Sequence, residues 1–456
     1  MMYTEFVVKP TSVDAAAANL NGGSGGTPIA FGGCGADGAG HILGGAPFTG
    51  IVAGDWFTWD TGGMKRRGRV VSNDGMVGMF QQLTVVPTDG GGAILSPGVP
   101  GVNVIFRGAW ADPSTVAGLT TASVNAAGNP PRLNVLASDG AGNQIVYPFA
   151  LTVVNSGTAA IPITVEGYRT AYGDLRGAMT APLLRLNSGI STAALLQVNG
   201  SHIVLRNLCV STTQSGTHGI ELNGVNNCQV VNCTVATGNL GIHLYGGSCH
   251  LVDTCLVTAC NQGIYVHGST TAVILNSRMA SLNSGAIGVN VFNASMPLVK
   301  ACLVNNFNGD GIVWYGPFGL TVLDCTFHTL ANNAINAGAM TDLSSLAVEG
   351  CIFTAITGSV LYSTAGGNLY PARYAHNIEY ANGGRFSANV LDNSEDIAAG
   401  NPFVSGGEVL SAAAKQHAIL LADGYTSTYP DLGAVQAQAA APGGLLVNNA
   451  MTGGMT

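Results

Sequence analysis

Acidic, imidazole and aromatic side chains recur in this chain at intervals of 22 to 25 residues. Seven of them form two rows that run in step: Glu221, His243 and Tyr265 in one, and Tyr245, His267, Phe292 and Tyr315 in the other. On a shared surface, the carboxylate and the imidazoles could exchange protons, and the rings could stack on sugars. The rings could equally form the seam between protomers of an oligomer, because exposed aromatic patches mark interfaces. The protomer interface is the favoured interpretation, and a glycan-binding face is the alternative.

A second group that could do chemistry is the acid pair Asp324 and Glu349, which follows Lys300 in successive repeats. Carboxylates stacked one repeat apart would lie ~5 Å from each other, the separation that a retaining glycosidase uses. The favoured interpretation is instead a solvated corner in which the charge of Lys300 offsets that of Asp324, because no further acid or arginine joins them. The remaining histidines show no metal-binding spacing. The sequence therefore predicts no catalytic residue, no metal site and no cofactor.

A repeating unit of roughly two dozen residues must position these side chains. Its first marker is a column of small side chains, mostly thiols, spaced by 22 to 26 residues: Cys209, Cys233, Cys255, Ser277, Cys302, Cys325 and Cys351. A second marker runs in step, a small residue followed by an aliphatic one: Gly219/Ile220, Gly241/Ile242, Gly263/Ile264, Gly288/Val289, Gly311/Ile312 and Ala334/Ile335. Self-similarity at a fixed period indicates a repeat architecture.

Within each unit, apolar residues fall two positions apart, as Cys233 and Val235 or Ile242 and Leu244 do. A period of two predicts strands with these residues on the inner face. Clusters of asparagine and glycine separate the strands and supply turns with positive φ. Two or three short strands per unit, stacked at the ~4.8 Å spacing of hydrogen-bonded strands, make a parallel β-helix. The thiols then form a buried column without disulfides.

Four segments match a known class of protein: residues 6–11, 54–55, 162–168 and 431–436. They resemble signatures of right-handed parallel β-helix proteins, and in particular of the structural β-helix proteins of tailed-phage particles. Each segment is a structural signature rather than a catalytic motif. The resemblance implies an all-β, right-handed parallel β-helix that assembles as a homotrimer in a virion, bound to other capsid or tail proteins.

The composition of the 456 residues narrows the function classes. Charged residues make up 9% of the chain and the net charge is −8, with no basic cluster larger than Lys65, Arg66, Arg67 and Arg69. Such a charge distribution argues against nucleic-acid binding, which needs a basic surface. The low content of charged residues suggests that partner proteins cover much of the surface. The sequence contains no apolar run of about 18 residues, so no membrane-spanning segment is predicted. The N-terminus lacks the pattern of a signal peptide, so we expect synthesis in a host cytoplasm.

The order of these features predicts five regions. They are a Gly/Ala-rich N-terminal segment (1–54), first β-helix coils (55–108), an inserted loop (109–143), the main β-helix (144–365) and a C-terminal cap with a flexible tail (366–456). Within the cap, residues 411–422 are predicted to form a short helix that begins at Ser411.

Three function classes follow from these observations. The favoured one is a non-enzymatic structural protein of a phage-like virion. The alternative is a tailspike that binds or cleaves polysaccharide, and the third is a bacterial surface adhesin. Pectate-lyase-like enzymes use clustered aspartates beside a basic residue, whereas the aspartates of the repeat region are scattered at Asp253, Asp310, Asp324 and Asp342.

Overall fold

The computed structural model describes residues 4–8, 29–53, 55–60, 65–87, 102–106, 131–137, 144–147, 150–168, 181–185, 193–387 with short gaps, 395–397, 403–404 and 409–410. The chain divides into two compact units, one of residues 1–190 and 195–209 and the other of residues 191–194 and 210–456. All of the described regular structure is β, and the predicted right-handed parallel β-helix is confirmed.

The first unit contains a closed barrel of six strands. They are β2 Ile29–Ala36, β3 His41–Gly44, β4 Trp56–Asp60, β5 Lys65–Val77, β6 Phe80–Pro87 and β7 Val102–Phe106. The strands pair in antiparallel fashion. Aromatic rings fill the interior: Phe31 meets Phe48 and Phe106 edge-on, with ring centroids 5.0 and 5.7 Å away. The barrel therefore has a hydrophobic core of its own.

The prediction that residues 55–108 form β-helix coils is therefore wrong. Barrel strands and β-helix strands share a period of two, so alternation alone does not separate them. The length of the turns between consecutive strands does separate the two architectures. Val77 pairs with Phe80 across a two-residue turn in which Gly78 has a φ of 65°, and only antiparallel strands can be joined so tightly.

The first unit also contains parallel β-helix strands. They are β1 Thr4–Val8, β8 Pro131–Leu136, β9 Val146–Tyr147, β10 Leu151–Val153, β11 Ile163–Tyr168, β12 Leu183–Arg185, β13 Ala194–Val198 and β14 Ile203–Arg206. β8 pairs in parallel with both β1 and β11. Part of the predicted loop 109–143 is therefore a solenoid strand. Pro131 suggests a loop, but proline is tolerated as the first residue of a strand.

The second unit is built from short strands in regular succession. They are β15 Cys209–Thr212, β16 His218–Asn223, β17 Gln229–Val231, β18 Thr234–Thr237, β19 Leu240–Tyr245, β20 Leu251–Asp253, β21 Leu256–Thr258, β22 Gln262–His267, β23 Val273–Leu275, β24 Arg278–Ala280, β25 Ile287–Phe292, β26 Leu298–Lys300, β27 Leu303–Phe307, β28 Ile312–Tyr315, β29 Leu320–Leu323, β30 Thr326–Leu330, β31 Ile335–Asn336, β32 Leu346–Glu349, β33 Ile352–Ile356, β34 Ser359–Tyr362, β35 Arg373–Tyr380, β36 Gly384–Phe386, β37 Glu395–Ile397, β38 Phe403–Val404 and β39 Val409–Leu410. Six complete coils of three strands each run from β17 to β34.

Each strand of a coil pairs in parallel with the corresponding strand of the next coil. The third strands form one sheet, in the order β16, β19, β22, β25, β28, β31, β34 and β36. In this sheet Ile220 lies opposite Ile242, and Ile242 lies opposite Ile264. Residues at equal positions in successive coils are therefore one strand spacing, ~4.8 Å, apart.

A residue with positive φ separates the first strand from the second in each complete coil: Asn232, Thr254, Asn276, Ala301, Asp324 and Gly350. The left-handed region costs an ordinary residue ~1–2 kcal/mol, and glycine and asparagine visit it most readily. The next residue after each positive-φ position points into the solenoid and is buried. These buried residues form the predicted thiol column. None of the ten cysteines, all of which lie in the described residues, forms a disulfide. The first member of the column is not the one predicted, since Leu208 is fully buried and Cys209 is half-exposed.

No helix occurs in the described residues, and the predicted helix over 411–422 lies outside them. Accordingly, the described part of the chain contains no helix that is long and apolar enough to cross a membrane.

The glycine column marks the closest approach of successive coils. A Cβ built on Gly263 would lie 2.5 Å from the carbonyl oxygen of Gly288, and one on Gly241 would lie 2.4 Å from that of Gly263. These partners are backbone atoms of a hydrogen-bonded ladder, so they cannot rotate away. The small residue in this column is therefore required by sterics.

We expect Gly263→Ala to lower the free energy of unfolding by ~1–3 kcal/mol, because the added methyl group overpacks the space between two coils. Urea unfolding followed by circular dichroism measures this change. The control is Gly216→Ala, since a Cβ at Gly216 meets nothing within 4 Å. Equal stability of the two variants would contradict the steric role of the column.

Candidate functional site

The outer face of the sheet formed by β16, β19, β22, β25 and β28 displays all seven residues of the two predicted rows. Glu221 lies opposite His243, and His243 lies opposite Tyr265. In the second row Tyr245, His267, Phe292 and Tyr315 follow one another in register. The structure therefore brings the predicted residues together on one surface, which we call the aromatic face.

The rings of the aromatic face contact one another across the coils. His243 stacks on Tyr265 with centroids 5.0 Å apart and planes inclined by 6°. Tyr265 stacks on His267 at 5.4 Å, and His267 meets Phe292 edge-on at 5.3 Å. Burial differs along the face, because Glu221 and His243 are each 8% exposed whereas Tyr245 is 45% exposed. The two rows thus form a continuous band of rings with a buried polar end.

His218 belongs to this surface, and the sequence analysis missed it. The period of two predicts that His218 and Glu221, three positions apart, point to opposite sides of the strand. However, the Cβ direction of Gly219 points inward, toward Val235 at 2.4 Å, so Gly219 and Ile220 both face the interior. This resets the alternation and leaves His218 on the outer face. The signal that could have revealed it is the glycine column itself.

His218, Glu221 and His243 form a compact group at the buried end of the aromatic face. One ligand-capable atom of each residue lies within 4.8 Å of the corresponding atoms of the other two. The rings of His218 and His243 are 5.3 Å apart and nearly perpendicular. Nδ1 of His218 lies 3.2 Å from the side-chain amide of Asn239. Two imidazoles and one carboxylate are a donor set that can bind a transition-metal ion.

Burial keeps both imidazoles of this group neutral near pH 7. Loss of solvation, together with the smaller effects of the neighbouring His218 and His267, lowers the pKa of His243 to about 4. Burial also lowers the pKa of His218 and raises the pKa of Tyr265. Both ring nitrogens of His243 are buried without a hydrogen-bond partner. Since such a group ordinarily finds a partner, the arrangement requires an explanation.

Amide side chains also lie on β22, β25 and β31 of this sheet, and Asp310 shortly precedes β28. Asp310 accepts hydrogen bonds from the side chains of Asn333 and Asn336, each at 2.9 Å. The Asn290 side chain donates to Gln262 at 3.0 Å. These contacts link neighbouring coils, and they give the aromatic face a polar flank that can donate and accept hydrogen bonds.

Asp324 and Glu349 do not form the stacked acid pair, which was the less favoured interpretation of these residues. Glu349 lies opposite Leu323 rather than Asp324, so the two carboxylates occupy different columns. Asp324 is one of the positive-φ turn residues and is buried. Glu349 is held by Arg373 at 2.8 Å. The two carboxylates do not face each other because the turn residue shifts the register between the strand and the turn.

Comparison with known families places the repeat region among β-helices. Residues 187–327 and 218–373 match the family described as the right-handed beta helix region. A search of curated proteins finds no significant match.

Several solved structures are similar to the chain. An alginate lyase from Paenibacillus sp. str. FPU-7 is 15% identical over 60% of this chain and 97% of its own, with a TM-score of 0.45. ORF18 of Geobacillus virus E2 is 13% identical over 61% of this chain and 55% of its own, also with a TM-score of 0.45. The pectate lyase Pel9A is 13% identical over 73% and 92%, with a TM-score of 0.47. At these identities, the function of the present chain is argued from its own side chains.

We expect the free energy of unfolding of the EDTA-treated, metal-free protein to fall as the pH drops from about 6.5 to about 4. Part of this loss comes from protonation of His243. The pKa of His243 is lower in the folded than in the unfolded state, so the unfolded state binds the extra proton in this window. The contribution is fully present above about pH 6.5, and ~2 kcal/mol of it is lost by about pH 4.5. Urea unfolding at pH 7.5 and 4.5 measures the loss. His243→Gln should lose less stability between these two values; an equal loss would contradict burial of a neutral imidazole.

Proposed function

We propose that the protein is a non-enzymatic structural component of a phage-like particle, and that it assembles with copies of itself through the aromatic face. The observation that supports this proposal is the exposure of three large rings on one sheet. Tyr245, Phe292 and Tyr315 are 45%, 39% and 40% exposed, and they lie in one row of adjacent coils.

The chemistry around the rings favours association. Exposed aromatic side chains are enriched at protein interfaces, and charged residues are depleted at the interface centre. In the rows that contain these rings, Glu221 is the only carboxylate and there is no lysine or arginine. Burying such a surface against a second copy removes apolar area from water and desolvates few charges. A flat parallel sheet can also extend this contact over several coils.

The proposed location in a virion rests on the sequence. The four short segments that resemble phage structural β-helix proteins suggest a virion, with capsid or tail proteins as partners and a homotrimer as the oligomer. The low charge content of 9% is consistent with a surface that neighbouring proteins cover.

A second candidate function is the binding of a cell-surface polysaccharide. The specific observation in its favour is that the rings have a polar flank, made by Gln262, Asn290 and Asp310. Sugars stack on aromatic faces and take their hydrogen bonds from amides and carboxylates. This function shares the aromatic face with the oligomer interface, so the oligomeric state separates the two proposals.

We expect the double variant Tyr245→Ser, Tyr315→Ser to shift the wild-type oligomer toward monomer, because it removes two exposed rings from the interface centre. Loss of each interface aromatic typically costs ~1–2 kcal/mol or more, so the dissociation constant should rise at least about 10-fold. Sedimentation velocity over a range of concentrations measures the shift.

Leu256→Ser is the matched control for this experiment. Leu256 is 38% exposed, and β21, on which it lies, belongs to a different sheet of the solenoid. Its replacement should leave the oligomer unchanged. A wild-type chain that stays monomeric at all concentrations would contradict the interface. In that case, glycan binding by the wild type that is lost in the double variant would favour the second candidate.

We further expect the protein to be present in purified particles of the phage that encodes it. Quantitative mass spectrometry gives its copy number relative to the major capsid protein. A high copy number indicates decoration of the head or tube, and a few copies in multiples of three indicate a vertex or tail position. Absence from particles would exclude the virion assignment.

A further inference from the structure

The group of His218, Glu221 and His243 brings three ligand-capable atoms close together, which the proposed interface does not require. His218 and Glu221 come from β16 and His243 comes from β19, the next strand of the sheet. Glu221 and His243 lie directly opposite each other. One donor atom from each of the three residues converges within 4.8 Å. A site made from two adjacent strands of a hydrogen-bonded sheet is held on rigid backbone.

The second observation concerns His243. It is more than nine-tenths buried, and neither of its ring nitrogens has a hydrogen-bond partner. Leaving a buried polar group unsatisfied costs ~1–3 kcal/mol, so native structures rarely tolerate it. An apolar side chain at this position would avoid that penalty. A ligand that bonds to the imidazole would remove it as well.

We propose that His218, Glu221 and His243 bind a divalent transition-metal ion, with zinc as the ion that fits best. Two imidazoles and a carboxylate are borderline donors, which suit zinc rather than calcium or magnesium. The single carboxylate offsets part of the ion's charge. Three protein ligands leave a fourth tetrahedral position open for water or for a group from another molecule.

The spacing of the donors is close to what the ion needs. Bonds of about 2.0–2.1 Å in a tetrahedral site place ligand atoms ~3.4 Å apart. The three donor atoms lie within 4.8 Å of one another, so binding requires the side chains to rotate toward the ion. His218 is half-buried, which leaves a route for the ion from solvent. The side-chain amide nitrogen of Asn239 lies 3.2 Å from Nδ1 of His218. Zinc binding through Nε2 requires this amide to turn, so that its oxygen accepts the Nδ1 proton.

The experiment uses the full-length chain without a histidine tag, stripped with EDTA and dialysed. All proteins carry Cys249→Ser, because Cys249 is the exposed thiol and could bind zinc by itself. Calorimetric titration with zinc chloride should show one equivalent bound per chain. Zinc at about 100 times its dissociation constant should shift the unfolding equilibrium about 100-fold toward the folded state.

Two variants test the assignment, and one serves as the control. His218→Ala and Glu221→Gln should each weaken zinc binding by at least about 10-fold. His41→Gln alters a half-buried histidine on β3 of the barrel, outside this group, and should leave zinc binding unchanged. Far-ultraviolet circular dichroism verifies folding; His218 is half-buried and glutamine keeps the shape of Glu221, so both variants should keep their coils.

Three results would overturn the proposal. The first is the absence of stoichiometric zinc binding by the wild-type residues. The second is binding that neither His218→Ala nor Glu221→Gln weakens. The third comes from cobalt(II) as a spectroscopic probe: thiolate-to-metal charge-transfer bands would place the ion on cysteine. Each of these outcomes is a measurement of zinc binding, whereas sedimentation velocity tests the interface, so failure of one proposal is distinguishable from failure of the other.

Discussion

The fixed distance between hydrogen-bonded parallel strands is the constraint on which the rest of the second unit depends. Every coil advances by ~4.8 Å, so each side chain has a counterpart from the next coil at van der Waals distance. The glycine column follows from it, because a Cβ at Gly241 would meet a backbone oxygen 2.4 Å away. The thiol column follows as well, since small apolar side chains stack at this spacing without voids. Ring stacking at 5.0 Å on the outer face is the same distance expressed in aromatic side chains.

The repeat period made the solenoid and the aromatic face predictable from the sequence. The columns through Ile220, Ile242 and Ile264 align in the structure as their spacing indicates. Period-two alternation was sufficient for orientation wherever a strand was regular. It could not distinguish the antiparallel barrel from β-helix coils, because both bury every second residue. That distinction depends on how the strands are connected.

The residues that sequence reasoning misplaced lie where the alternation is interrupted. Gly219 faces inward beside Ile220, which turns His218 to the outer face and brings it to His243. The positive-φ turn at Asn207 buries Leu208 rather than Cys209, and the turn at Asp324 separates that carboxylate from the column of Glu349. These features involve backbone torsions that the apolar pattern does not encode. A single asparagine or glycine is compatible with several turn geometries.

The two proposals for this surface use different properties of one sheet. An interface needs area and few charges, and the rings from Tyr245 to Tyr315 provide both. A metal site needs donors at fixed positions, and adjacent strands provide these because their register is set by backbone hydrogen bonds. His243 belongs to both sets: it stacks on Tyr265, and its nitrogens lie beside His218 and Glu221. A metal ion bound there would fix the ring that begins the aromatic stack. Metal binding and the order of the aromatic face are therefore physically coupled through one imidazole.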